Sequence, residues 1–68
     1  MAVARVTKIV ASSTKSFEDA VKEGVKRANK TIRRLTGLHV LEQKCKIEKE
    51  KIIEYRVTLE ITFIIEET

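Results

Sequence analysis

The 68-residue sequence predicts a single α+β domain in which a strand, a helix and two further strands follow one another. Three patterns predict this β-α-β-β order. β-Branched residues dominate the first segment, apolar residues recur every three or four positions in the second, and apolar and polar residues alternate in the last. The length suits one domain, residues 1–68, and leaves no room for a second.

The first strand is predicted over residues 3–11, which read VARVTKIVA. A cluster of serine and threonine residues interrupts it, because their hydroxyls favour turns and helix N-caps. Ser16 lies three residues before Asp19, a spacing that resembles a capping box. Ser13 is a competing N-cap. The helix is therefore expected to begin near Phe17, with either Ser13 or Ser16 as its N-cap.

The helix is predicted over residues 17–35, about five turns. Its apolar residues are spaced by three and four positions and therefore share one face; they are Phe17, Ala20, Val21, Gly24, Val25, Ala28, Ile32 and Leu35. A glycine inside a helix costs about 1 kcal/mol relative to alanine, so we expect Gly24 to mark close packing against the sheet. Gly37 is the expected C-terminal cap.

Two further strands are predicted, over residues 38–48 and 52–66. The second alternates clearly, which is typical of an antiparallel sheet covered on one side; its expected core face carries Tyr55, Val57, Leu59, Ile61, Phe63 and Ile65. Ile64 falls on the opposite face, beside threonines and charged residues. Residues 48–51, which read EKEK, are the predicted hairpin turn, although the usual Asn-Gly or Asp-Gly pair is missing.

A chain of this size buries only about 60% of the surface that its unfolded form exposes, so its own core is marginal. Disulfides, a metal or oligomerisation usually compensate. Cys45 is the single cysteine and His39 the single histidine, which excludes an intrachain disulfide and the spacing of a zinc site. We therefore expect an oligomer. The N-terminus lacks a signal-like apolar segment, and the unpaired cysteine favours a reducing, cytoplasmic location.

Neither His39 nor Cys45 predicts catalysis. His39 has no serine, cysteine or aspartate at a motif spacing, and a lone histidine is usually a surface or packing residue. Cys45 alternates in phase with Leu41 and Ile47, so it is expected to be a small buried hydrophobic residue. The sequence therefore predicts a protein that is not an enzyme.

Charge is unevenly distributed along the chain. Residues 14–35 contain seven cations against three anions, whereas cations and anions balance in the remainder. This basic helix could meet nucleic acid electrostatically, but with three aromatic residues the chain has few stacking platforms, and a solvated helix face is the preferred interpretation. The acids of the last two strands lack a calcium-loop pattern. In an oligomer, symmetry could gather copies of one carboxylate around an axis and create a cation site.

Four collinear runs of the sequence resemble the dodecin family. They are residues 9–20 (IVASSTKSFEDA), 25–28 (VKRA), 40–43 (VLEQ) and 54–63 (EYRVTLEITF). The resemblance covers almost the whole chain. It implies a three-stranded antiparallel sheet partly wrapped around one helix, twelve subunits forming a hollow homododecamer of cubic symmetry, and flavins held in pairs near two-fold axes without turnover.

The sequence departs from the family pattern at the flavin pocket. The family's ring-stacking tryptophan falls on Gly37, and its glutamine in the third strand falls on Arg56; the chain contains no tryptophan. Loss of ring stacking costs about 1–3 kcal/mol, which weakens binding roughly ten- to a hundredfold. The resemblance implies that Gly37, Arg56 and Lys44 contact FMN or riboflavin. The alternative is a shell without a flavin role that binds another anionic small molecule or a divalent cation, or is purely structural.

Overall fold

The computed structural model describes residues 2–67 of the chain, with side-chain surroundings for residues 3–65. It contains β1 (Ala2–Ser13), α1 (Phe17–Thr31), β2 (Leu35–Glu48) and β3 (Lys51–Glu67). The strands form one antiparallel sheet in the order β1-β3-β2. The predicted β-α-β-β order is confirmed. Within the described residues, the helix lacks the length and apolar character needed to cross a membrane.

Both serines that the sequence offered as caps contribute to the start of α1. The Ser16 hydroxyl accepts a hydrogen bond from the Asp19 backbone N–H at 2.9 Å, so Ser16 is the N-cap. The Ser13 hydroxyl donates to the Asp19 carboxylate at 2.6 Å and accepts from the Lys15 N–H at 2.9 Å. One serine therefore satisfies a free backbone donor of the helix, and the other orients the first-turn acid.

The predicted end of the helix is wrong. The helix ends at Thr31, and Ile32 is already extended, with its N–H donating to the Ala28 carbonyl at 2.8 Å. Arg34 then takes a left-handed conformation with a φ of 64°, and its carbonyl accepts from the Ile64 N–H at 3.1 Å. The chain thus leaves the helix to pair with β3, although the helical spacing of apolar residues in the sequence continues to Leu35. Gly37 is a β2 residue opposite Thr62 and does not cap the helix.

The core lies between one face of α1 and the middle of the sheet. The helix contributes the small residues Ala20, Gly24 and Ala28, one turn apart, which allow its backbone to approach the sheet. Val57, Leu59 and Ile61 of β3 lie beneath them and are fully or almost fully buried. The alternation predicted for β3 is confirmed at these positions. It fails at Ile65, which is exposed where a register shift interrupts the pairing with β1.

The helix is too short to cover the sheet. Fifteen helical residues span about 22 Å, whereas the 17 residues of β3 extend about 55 Å. Large apolar side chains of the sheet stay exposed by 38% or more at Val3, Val6, Val10, Leu38, Leu41, Ile47, Ile52, Ile53 and Ile65. An isolated subunit of this shape leaves much of its apolar surface in contact with water.

The turn between β2 and β3 forms where the sequence predicts it. Lys49 and Glu50 both have positive φ, 51° and 65°. That combination characterises a type I′ turn, whose backbone twist matches that of the flanking strands. Two non-glycine residues therefore occupy a conformation that asparagine and glycine adopt more readily.

Candidate functional site

The sheet has one face that α1 does not cover, and we call it the open face. Because Val57, Leu59 and Ile61 point toward the helix, the alternate residues of β3 and their partners point away from it. These are Glu54, Arg56, Thr58, Glu60 and Thr62 of β3, Val6, Lys8, Val10 and Ser12 of β1, and Gly37, His39, Glu42, Lys44 and Lys46 of β2. The open face carries most of the charged groups of the sheet.

Two of the three predicted ligand residues are neighbours on the open face. Lys44 and Arg56 lie directly opposite each other in the β2–β3 ladder. They line a shallow cavity of about 170 Å³ together with Cys45, Lys46 and Glu54. This arrangement offers a point charge beside a planar guanidinium, a combination suited to an anionic group on a flat molecule.

Each of these cations already has an acidic partner on its own strand. The Arg56 guanidinium donates to the Glu54 carboxylate at 2.6 Å, and Lys44 Nζ lies 3.5 Å from Glu42 Oε1. A ligand phosphate would have to compete with these carboxylates. Glu42 and Glu54 were not predicted as the partners of Lys44 and Arg56. The signal was present, because residues two apart in a strand share a face, and both pairs have the spacing Glu-x-cation.

Gly37 lies on the same open face but away from the cation pair. It is opposite Thr62, six residues along β3 from Arg56, which corresponds to roughly 20 Å. A separate apolar cavity of about 270 Å³ lies beside Gly37, lined also by Val25, Leu35, Thr36, Leu38 and Ile61. A single chain therefore does not gather Gly37, Lys44 and Arg56 into one pocket, so a ligand touching all three would need contributions from more than one subunit.

His39 lies next to an acid in the middle of the open face. Its Nδ1 atom is 4.0 Å from Glu60 Oε1, and Lys8 is the partner of Glu60 on the other side. One carboxylate thus lies between a lysine and a histidine across the three strands. Among residues 3–65, no three histidine, cysteine, aspartate or glutamate side chains are grouped closely enough to hold a metal ion.

The prediction that Cys45 is buried is wrong, because its side chain is exposed in the chain described. Cys45 pairs with Tyr55 close to the hairpin, where the ring of Phe17 at the start of α1 covers Tyr55 edge-on at 5.1 Å but the helix extends no further. Register shifts on either side of this segment also interrupt the alternation with Leu41 and Ile47, which are exposed as well.

The fold and the open face together define a small β-α-β-β protein whose sheet is only partly covered by its helix. The family profile described as Dodecin matches residues 3–66. The chain belongs to the dodecin family.

Two relatives and two solved structures illustrate the likeness. The chain is 35% identical over 66 residues to a dodecin of Thermus thermophilus, covering 97% of this chain and 96% of that protein. It is 33% identical over 63 residues to calcium dodecin of Mycobacterium tuberculosis, covering 93% and 89%. The dodecin structure from Streptomyces coelicolor superposes with a TM-score of 0.92 at 31% identity, covering 98% and 96%. The structure of the Mycobacterium tuberculosis calcium dodecin superposes with a TM-score of 0.82 at 30% identity, covering 97% and 94%.

Proposed function

We propose that the chain assembles into a homododecamer in the cytoplasm and stores a flavin, FMN or riboflavin, without turning it over. Family membership supports the assembly and the class of ligand. The observation that carries the flavin proposal is the adjacency of Lys44 and Arg56 on the open face. Gly37, in the position that the family resemblance assigns to the stacking tryptophan, is the third proposed contact.

The need for an assembly follows from burial. Five apolar residues are buried among those the structure describes: Ala20, Ala28, Val57, Leu59 and Ile61. Apolar burial contributes about 25 cal/mol per Å² to stability, so a core this small contributes little. Small domains without disulfides or a structural metal usually gain further stability from oligomerisation. The exposed isoleucines, leucines and valines of the sheet are the surface that other subunits would cover.

The proposed ligand contact follows from the chemistry of the two cations. The Arg56 guanidinium is planar, so it can stack on an isoalloxazine ring or bind a phosphate through two N–H groups. Lys44 supplies a second positive charge next to it. Because Glu42 and Glu54 compensate both charges, and because no tryptophan is available to stack, binding is expected to be weak. FMN should bind more tightly than riboflavin, since only FMN carries a phosphate.

Titration with quenching of flavin fluorescence tests this proposal. The fluorescence of FMN should be quenched on binding to the protein, with a Kd on the order of 10 μM, and riboflavin should bind more weakly. Arg56→Ala should remove the preference for FMN, whereas Lys51→Ala, a change of the same charge at the hairpin, should leave it unchanged. Absence of quenching by either flavin at several tens of micromolar protein would rule out the flavin role.

A second candidate ligand is a divalent cation. The open face carries the carboxylates of Glu42, Glu54 and Glu60, and one relative of the chain is named calcium dodecin. Calcium prefers several oxygen ligands, so carboxylates from more than one subunit would have to converge. A rise in Tm with added Ca²⁺, lost in Glu60→Gln and kept in Glu18→Gln on the helix, would favour this candidate over the flavin. An unchanged Tm at millimolar Ca²⁺ would exclude it.

A further inference from the structure

The C-terminal half of α1 and the residues just beyond it carry a group of exposed cations. We call the four residues Lys26, Arg27, Lys30 and Arg33 the basic helix surface; all four are exposed. Lys26 and Lys30 are one turn apart, Arg27 lies beside them, and Arg33 follows just beyond the helix end. Residues 24–41 contain no aspartate or glutamate.

Three cations of the sheet, by contrast, are paired with an acid of their own strand. Lys44, Lys46 and Arg56 each lie within 4.0 Å of a glutamate two residues away. Lys22, at the start of the helix, is likewise paired with Glu18 at 3.3 Å. Within the part of the chain whose side chains are described, no carboxylate comes that close to the four residues of the basic helix surface. Among residues 3–65, the basic helix surface is therefore a group of four cations without a carboxylate partner within 4.0 Å.

We propose that the basic helix surface binds the phosphate backbone of nucleic acid without reading its sequence. Cations spread along one side of a helix match a polymer with regularly spaced charges, and releasing its counterions drives such binding. A membrane is the less suitable anionic partner. The helix buries Ala20, Gly24 and Ala28 against the sheet, and the exposed residues between the cations, Asn29 and Thr31, are polar, so the basic helix surface offers no large, fully exposed apolar side chain for insertion.

Repetition of this surface in an assembly would strengthen the contact. One subunit offers at most four cations, which gives weak binding at physiological salt. A duplex that touches two subunits gains through effective concentration without any new kind of contact. The solvated helix face that the sequence favours is the competing interpretation, and it predicts no dependence on the position of the charges.

Fluorescence anisotropy of the assembled protein with a labelled 20-base-pair duplex tests the proposal. Lys26→Gln/Lys30→Gln should reduce the slope of log K against log salt by about 2 for each contacting subunit. Between about 50 mM and 200 mM salt, the loss of affinity should then be smaller than in the parent protein by roughly tenfold for each contacting subunit. A matched control, Lys49→Gln/Lys51→Gln, removes the same charge at the hairpin and should leave the slope unchanged.

Three results would overturn the proposal. The first is no binding to the duplex at 50 mM salt. The second is equal weakening by the two double variants, which would reduce the effect to net charge. The third is binding to vesicles containing anionic phosphatidylserine without binding to the duplex, which would assign the surface to membranes. Each result leaves the flavin proposal untouched, because the open face and the basic helix surface share no residue.

Discussion

Gly24 of α1 lies directly against Leu59 of β3. A Cβ atom placed on Gly24 would come within 2.9 Å of Leu59 Cδ1 and 3.2 Å of the Ala11 Cβ atom. Side chains do not normally approach so closely, so the missing Cβ sets the distance between helix and sheet. The cost of a glycine inside the helix, about 1 kcal/mol, is offset by the burial of Leu59 and its neighbours.

Gly24→Ala is therefore expected to destabilise the protein although alanine is the better helix former. Overpacking costs about 1–3 kcal/mol, which exceeds the gain of about 1 kcal/mol in helix propensity. The free energy of unfolding in urea, measured at a fixed subunit concentration, should fall by about 1 kcal/mol. Adding Leu59→Val removes the clashing Cδ1, so the double variant should lose less than the sum of the single effects. A more stable Gly24→Ala variant would contradict the close contact.

Ser16→Ala should lower stability by about 1 kcal/mol, because the Asp19 N–H loses its hydrogen-bond acceptor at the start of α1. Amide hydrogen exchange in the first helical turn should accelerate at the same time. Thr14→Ala, two residues earlier in the same exposed segment, is the control and should have little effect. Equal effects of the two changes would argue against Ser16 as the cap.

The variant Lys49→Asn/Glu50→Gly should stabilise the β2–β3 hairpin. Both native residues hold a positive φ, which costs roughly 1 kcal/mol each in a residue other than glycine or asparagine. Thermal unfolding followed by circular dichroism should show a rise in Tm of several degrees. The same substitution at a turn with negative φ would destabilise the chain, so a lower Tm would contradict the type I′ geometry.

The sequence predicts the elements whose patterns agree with tertiary contacts. The start of α1, the alternation of Val57, Leu59 and Ile61, and the hairpin at 48–51 are confirmed because local preference and burial coincide there. The predicted end of α1 was wrong because Ile32 and Leu35 continue the helical spacing of apolar residues, whereas strand pairing with β3 begins at Leu35. Periodicity within one segment carries no information about a competing partner elsewhere in the chain.

The candidate site was less accessible from sequence. The adjacency of Lys44 and Arg56 depends on the β2–β3 register, which includes three shifts that no residue pattern indicates. The exposure of Cys45 depends on how far α1 reaches along the sheet, a three-dimensional relation that alternation alone does not give. The separation of Gly37 from Lys44 and Arg56 also depends on the strand register. Alternation places all three residues on one face, but only the register shows that they lie at different positions along it.

Gly37→Trp should increase flavin affinity if Gly37 takes the place of the stacking residue. No atom lies within 4 Å of a Cβ built on Gly37, so the subunit leaves space for the larger side chain. Stacking contributes about 1–3 kcal/mol, hence a gain of roughly ten- to a hundredfold in affinity for FMN. Thr36→Trp, on the neighbouring position of β2, is the matched control and should not produce this gain. Unchanged FMN binding in Gly37→Trp would remove Gly37 from the flavin site.

The mass of the protein in solution tests the central proposal, that the subunit works as part of an assembly, most directly. Light scattering coupled to size-exclusion chromatography should report twelve times the 7.8 kDa of the chain, about 94 kDa. That mass should persist on dilution to low micromolar concentration. A stable, folded species of 7.8 kDa would contradict the proposal, because the exposed apolar residues of the sheet would then have no subunit to cover them.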